Sequence, residues 1–308
     1  MTSTLRLISF PATSNLPIFA GNELGLFRRH GVEVVLETTP SSMHLMRKLI
    51  AGEYDMGCGA VDNVVAYQEG AGEVAVDREP DLFIVAGATQ TEVSFAVSPD
   101  VEGYADLKGK RLALDALTTG FAFVLYRLIE NAGMKLDDVE MVSVGSTPSR
   151  WEGVQKGEFA GTLLIEPLTS MARAAGYRVL GGTLDFDHYC GQVFAASRAW
   201  AAAHCDVVVG FLRGWLDALD WVRDPANRKA VEETLGRNMP QMKPQAIAPS
   251  TAKLLDPRSG LIPLAAFDRE GLKTVLELRS QYAPQKKRLT DPDKYVDLSY
   301  YEKALKDR

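Results

Sequence analysis

Short apolar runs alternate with amphipathic stretches along most of the chain, and this alternation limits the fold more than any other feature. Strands that run the same way need a long crossover, usually a helix, so the pattern predicts βα units and a mainly parallel sheet. Residues 5–10 read as the first strand, 16–30 as a helix ending at Gly31, 32–37 as a strand, 42–51 as a helix stopped by Gly52, and 56–59 as a strand. A short helix over 64–69 and a fourth strand over 82–86 follow. The series then restarts, with strands at 112–114, 140–144 and 162–165 and helices at 121–132, 150–156 and 168–175. Helices at 206–222 and 226–235 lead into a tail rich in proline and charge.

The two series share punctuation. Thr39-Pro40-Ser41, a helix, Gly52-Glu53-Tyr54, an apolar strand, Asp62-Asn63 and a helix ending near Ala71-Gly72 are matched by Thr147-Pro148-Ser149, a shorter helix, Gly157-Glu158-Phe159, an apolar strand, Glu166-Pro167 and a helix ending at Ala175-Gly176. Two copies do not make a solenoid. They suggest two similarly built α/β lobes, with a cleft at the carboxyl ends of their strands, where open α/β sheets hold ligands.

At 308 residues the chain has room for two domains and a large core. It is 46% hydrophobic and 24% charged, and 41 residues are Gly or Pro, which excludes a disordered or fibrous chain. The net charge of −6, with Lys286-Lys287-Arg288 as the one basic run, counts against nucleic acid or an anionic membrane as partner. The apolar stretch Val207-Val208-Val209-Gly210-Phe211-Leu212 is broken by Arg213, far short of the roughly 18 to 20 residues of a spanning helix. Met1-Thr2-Ser3-Thr4 runs straight into a strand, leaving no space for a secretion signal. The expectation is cytoplasmic for the chain as written, and periplasmic if Met1 replaces a trimmed signal. Cys58, Cys190 and Cys205 form no C-x-x-C pair, so neither a disulfide framework nor a zinc site is expected.

Several segments resemble one known family. Pro17-Ile18-Phe19-Ala20-Gly21-Asn22-Glu23-Leu24-Gly25-Leu26-Phe27 with His30-Gly31-Val32-Glu33-Val34 is similar to the opening of the substrate-binding proteins of nitrate, sulfonate and taurine ABC importers, a family that includes thiamin-pyrimidine synthases. Leu49-Ile50-Ala51-Gly52-Glu53-Tyr54-Asp55-Met56-Gly57, Ala105-Asp106-Leu107-Lys108-Gly109-Lys110-Arg111-Leu112-Ala113 and Ala160-Gly161-Thr162-Leu163-Leu164-Ile165-Glu166-Pro167 extend the likeness over roughly residues 5–235. The resemblance implies an α/β, two-lobed type II periplasmic-binding-protein fold with a ligand cleft between lobes. One lobe would comprise residues 1–94 plus 193–308 and the other 95–192, with hinge crossings at 93–98 and 191–197. It further implies a small-molecule ligand, an ABC permease as partner, no cofactor or metal, and a monomer.

In such a fold the loops after the strands hold the ligand. Ser14 and Asn15 follow the first strand and either cap the next helix or meet the ligand. Ser41 and Ser42 face the same choice, as do Asp62 and Asn63. Thr89 and Gln90 follow the fourth strand. Thr118, Thr119 and Gly120 precede a middle-lobe helix, where Gly120 lets backbone N–H groups approach an anion or carbonyl. Glu166 follows an apolar strand, and His188 and Tyr189 precede the second hinge. Arg150 is the one guanidinium placed near the cleft. That scarcity of cations argues against strong anions and favours a polar heterocycle or aromatic acid with hydrogen-bond donors over a sulfonate.

No G-x-S-x-G elbow, H-E-x-x-H, Walker loop or G-x-G-x-x-G after a strand occurs. The primary expectation is therefore capture of a small polar organic ligand by hinge closure, with no catalytic residue. The alternative is a cytosolic lyase or decarboxylase on the same fold, with Glu166, His188, His44 and Asp62 as acid/base groups. Cys58 could pair with His44 or His188 as a thiolate–imidazole couple. The cysteine-rich segment that marks thiamin-pyrimidine synthases is missing, which sets their self-consuming chemistry aside.

Overall fold

A computed structural model describes residues 2–306. Its ten strands are β1 (Ser3–Ser9), β2 (Val32–Thr38), β3 (Met56–Ala60), β4 (Leu82–Thr89), β5 (Ser94–Val97), β6 (Arg111–Leu114), β7 (Glu140–Ser143), β8 (Gly161–Leu164), β9 (Arg178–Gly182) and β10 (Gln192–Ser197). They form two five-stranded sheets, ordered β2-β1-β3-β10-β4 and β7-β6-β8-β5-β9. The repeated segments occupy matching places, β3 beside the first strand of one sheet and β8 beside that of the other.

The expected mainly parallel sheet is corrected to two mixed ones. β1 pairs parallel with β2 and β3, and β6 with β7 and β8, each through a helical crossover. β10 is antiparallel to β3 and β4, and β5 to β8 and β9. These two strands enter their sheets directly from the other lobe, so no helix reverses them. The segments read as hinges, 93–98 and 191–197, are thus mostly strand: their largely apolar character reflects burial on both faces. The chain actually crosses at 90–93 and returns at 183–191.

The crossings lie against each other. A Cβ on Gly191 would stand 2.1 Å from the Gln90 carbonyl oxygen, and one on Gly182 2.2 Å from that of Val93. Thr183 N–H donates to the Val93 carbonyl at 2.9 Å, and Val93 N–H to the Thr183 hydroxyl at 3.0 Å. Between them Thr91 adopts φ 48°, a left-handed backbone that is strained for a β-branched residue.

Helices cover both sheets. Val208, Phe211, Leu212, Trp215, Leu216, Leu219 and Val222 recur at three- and four-residue spacing on helix Cys205–Arg223 and are buried against the first sheet. Each such side chain contributes about 1.5–3 kcal/mol of transfer free energy. The stretch 16–30 is interrupted: helix Leu16–Glu23 ends before Gly25, whose φ of 67° starts a separate turn over Leu26–Arg29. The tail is helical as well. Its helix Arg269–Tyr282 packs on helix Val61–Gln68 of the first lobe and on helix Gly120–Asn131 of the second. The chain then returns to the first sheet, where Asp297 N–H donates to the Ile84 carbonyl at 3.0 Å.

Candidate ligand-binding cleft

Between the lobes lies a cavity of about 980 Å³. Its walls come from residues just beyond the carboxyl ends of six strands: Phe10 and Pro11 after β1, Thr39 and Pro40 after β2, Asn63 after β3, Asp115 after β6, Ser146 after β7 and Glu166 after β8. The geometry follows from the fold, because helices that alternate with parallel strands return below the sheet and leave the strand tips open. Most of the lining is apolar, including Phe121, Trp151, Leu168 and Met171 from one lobe and Met239 and Met242 from the other.

Of the residues singled out in the sequence, Ser42, Asn63, Thr119, Gly120 and Glu166 line this cavity, as does Arg150. The Ser42 hydroxyl donates to Asp115 Oδ2 at 2.7 Å, a bond that crosses the cleft. Thr119 caps its helix, accepting from Ala122 N–H at 3.4 Å. The Gly120 backbone sits directly on Asp62, where a Cβ would come within 2.5 Å of the aspartate Cβ.

Other residues are committed elsewhere. Asp62 is not free for a ligand: its carboxylate takes Arg279 Nε and Nη2 at 2.5 and 2.6 Å, both partners being almost completely buried. Ser41 caps helix Ser42–Ala51 through His44 N–H at 3.2 Å. Asn15 donates to the Phe10 carbonyl at 2.7 Å and so positions a cavity residue from behind, while Ser14 reaches Gln192 at 3.5 Å. The Thr89 hydroxyl donates to the Gly260 carbonyl at 2.9 Å. Gln90 lies in the first crossing, its side-chain oxygen buried without a partner. Thr118 donates through its N–H and hydroxyl to Glu73, at 2.7 and 2.5 Å. His44 is half-buried and His188 exposed, and neither lines the cavity. Tyr189 is buried, its ring 6.4 Å from that of Phe121. Cys58 is buried on β3 and does not line the cavity, and burial pushes its thiol up to about 12.

Arg150 is buried among neutral acceptors. Its Nε donates to Thr162 Oγ1 at 3.1 Å and its Nη2 to Thr147 Oγ1 and the Leu163 carbonyl, both at 3.1 Å, while Nη1 donates to the Gly145 carbonyl. Burial lowers this guanidinium to about 10, with Asp115 opposing the shift. Glu166 accepts from the Ser170 hydroxyl at 2.9 Å and from its N–H at 3.4 Å. Burial raises its carboxyl above the ordinary range, and the Ser170 bonds hold it back in part.

Sequence reasoning passed over Asp115, Thr91, Phe121, Trp151 and the segment around Met239–Ser250, all in the wall. Asp115 had a signal, since it directly follows a strand. The methionines had none, because the fold of the tail brings them there.

Two α/β lobes with one exchanged antiparallel strand each, facing across a cavity at their strand tips, define a type II periplasmic-binding-protein fold. The chain belongs to the NMT1-like family, whose model matches residues 2–236. Solved structures agree. The ligand-binding component of an ABC-type import system from Staphylococcus aureus is 12% identical, with 98% of this chain and 99% of that one covered and a TM-score of 0.79. The nitrate-binding protein NrtA from Synechocystis PCC 6803 is 14% identical over 99% and 89%, TM-score 0.79. The alkanesulfonate-binding protein SsuA from Xanthomonas axonopodis pv. citri, bound to MOPS, is 19% identical over 96% and 98%, TM-score 0.74. These bear out the resemblance drawn from the sequence motifs. No match is found among curated protein sequences. Among the described residues no helix is long and apolar enough to cross a membrane.

Proposed function

We propose that this protein captures an organic solute between its lobes and delivers it to an ABC-type permease. The observation that carries the reading is the cavity of about 980 Å³ lined from both lobes at the strand tips. A pocket of that size suits a drug-sized organic molecule rather than a small inorganic ion, and its apolar lining with few polar groups is what such ligands require. Ser42, Asn63, Thr119, Gly120 and Glu166 are the proposed polar contacts, with Phe121 and Trp151 against the apolar part.

Lobe closure supplies the mechanism. The Ser42–Asp115 and Thr118–Glu73 hydrogen bonds join the lobes across the cleft and are the contacts that opening would break. A ligand that touches both lobes binds the closed form better and shifts the equilibrium toward it.

A thermal-shift screen of aryl and alkyl compounds carrying ammonium, carboxylate, sulfonate or neutral polar groups tests the reading. Binding to the folded state alone raises Tm with ligand concentration. At least one class is expected to do so; a screen in which none does would remove the reading's support.

A further inference from the structure

We infer that the cleft selects an organic cation, an ammonium or protonated nitrogen base, whose charged end meets the Glu166 carboxylate while an apolar body fills the methionine and aromatic wall. This rests on the ligand-capture reading above and deepens it by assigning the ligand's charge.

Four charged side chains reach the cavity: Asp115, Arg150, Glu166 and Lys243. Three are already engaged or lie in water. Arg150 spends its Nε, Nη1 and Nη2 on four protein acceptors. Asp115 accepts the Ser42 hydroxyl and already has the Arg150 guanidinium close enough to feel its charge, and Lys243 is exposed. Glu166 differs. It is bonded only through Ser170, and a carboxylate offers about four lone-pair sites, so acceptor capacity remains. No ion pair among the described residues includes it.

Lys253, the cation whose charge reaches Glu166, is taken by a neighbour, as is Arg173. Lys253 bonds Glu92 Oε2, and Arg173 lies 3.6 Å from Glu92 Oε1. Glu166 is thus a largely buried carboxyl with no ion pair of its own, beside a second carboxylate that pairs with both cations. Its upward shift has burial as the first cause, with Ser170 opposing, Glu92 adding and Lys253 opposing. A bound cation would supply the missing counter-charge in a medium where a charge-assisted bond counts for more than in water.

An independent observation points to the same end of the cavity. Thr91 lines the wall, is 9% exposed, and its hydroxyl has no partner. β5 and β8 are antiparallel with Ser94 opposite Leu164, so continuing that register sets Glu92 beside Glu166, with Thr91 one residue further along the same crossing. A buried hydroxyl left unpaired is costly unless something in the cavity bonds it. An ammonium carries three N–H donors, enough to serve a carboxylate oxygen and a hydroxyl.

The test holds the apolar body constant and varies the head. 4-Phenylbutylamine, 4-phenylbutan-1-ol and 4-phenylbutanoate are titrated calorimetrically into the full chain and into Glu166→Gln and Thr91→Val. The amine should bind wild type most tightly, lose about ten- to a hundredfold in affinity to Glu166→Gln, and lose less to Thr91→Val. Circular dichroism checks that the variants fold; if Glu166→Gln does not, the ranking of the three probes on wild type decides alone. Binding of the carboxylate or the alcohol in preference to the amine would overturn the charge assignment and leave ligand capture standing. Equal affinity of the amine for wild type and a folded Glu166→Gln would overturn it too. Silence from all three probes would also overturn it, and ligand capture then stands or falls on the wider thermal-shift screen.

Discussion

The Arg279 and Asp62 side chains are 2% and 1% exposed, and their mutual contact is the main offset to the lost hydration. Removing one partner strands the other charge. Arg279→Met is expected to lower unfolding free energy by about 3–5 kcal/mol in urea titrations, and adding Asp62→Leu should restore much of it. Additive losses would contradict the pairing. Glu69 makes a different case, a side chain only 3% exposed beneath two exposed lysines. Burial alone would raise its carboxyl, but Lys287, Lys294 and Tyr295 outweigh that and hold it at about 2, against an ordinary 4.5. A carboxyl depressed in the folded state adds stability above its unfolded pKa and loses it as pH falls, here between about 4.5 and about 2. Glu69→Gln should cost about 1–2 kcal/mol at neutral pH, with both lysines largely exposed, and should flatten the acid limb of the stability curve. Parallel acid limbs for variant and wild type would refute this.

Among the elements, the paired crossings leave no room for a side chain at Gly191 or Gly182. Gly191→Ala must move the Gln90 carbonyl or the return segment, and an unrelieved overlap of this kind costs about 1–3 kcal/mol. A lowered urea midpoint with unchanged slope is expected, together with weaker ligand binding, because the crossings set how the lobes face each other; wild-type behaviour in both would count against it. The same crossings show what the sequence reveals. Helix Ser42–Ala51 is legible because its signals are local: a serine cap at Ser41 and a left-handed Gly52, φ 78°, after its last turn. β5 and β10 were legible as apolar but not as strands, since their partners come from segments dozens of residues away. β9, with Gly181 and Gly182 at its end, carried no strand signal at all. The site divides in the same way. Ser42, Asn63 and Glu166 were found because they follow strands, whereas Asp62 looked equally suitable until the fold brought Arg279, 217 positions later, onto it.

At the scale of the whole molecule, one helix near the carboxyl end serves both lobes. On helix Arg269–Tyr282, Arg279 donates to Asp62 in the first lobe and, at 2.9 Å, to the Thr118 carbonyl in the second, while the Tyr282 hydroxyl donates to Glu130 at 2.5 Å. The lobes are therefore braced on that side as well as joined through the two crossings. A solute bound in the cleft is expected to hold these lobes closed. Small-angle X-ray scattering of the full chain, with and without a saturating compound from the thermal-shift screen, tests it most directly. The radius of gyration should fall on binding, and the scattering of the bound protein should match the arrangement in which Ser42 reaches Asp115 and Thr118 reaches Glu73 between the lobes. A compound that raises Tm yet leaves the scattering curve unchanged, with the free protein already closed, would contradict capture by lobe closure.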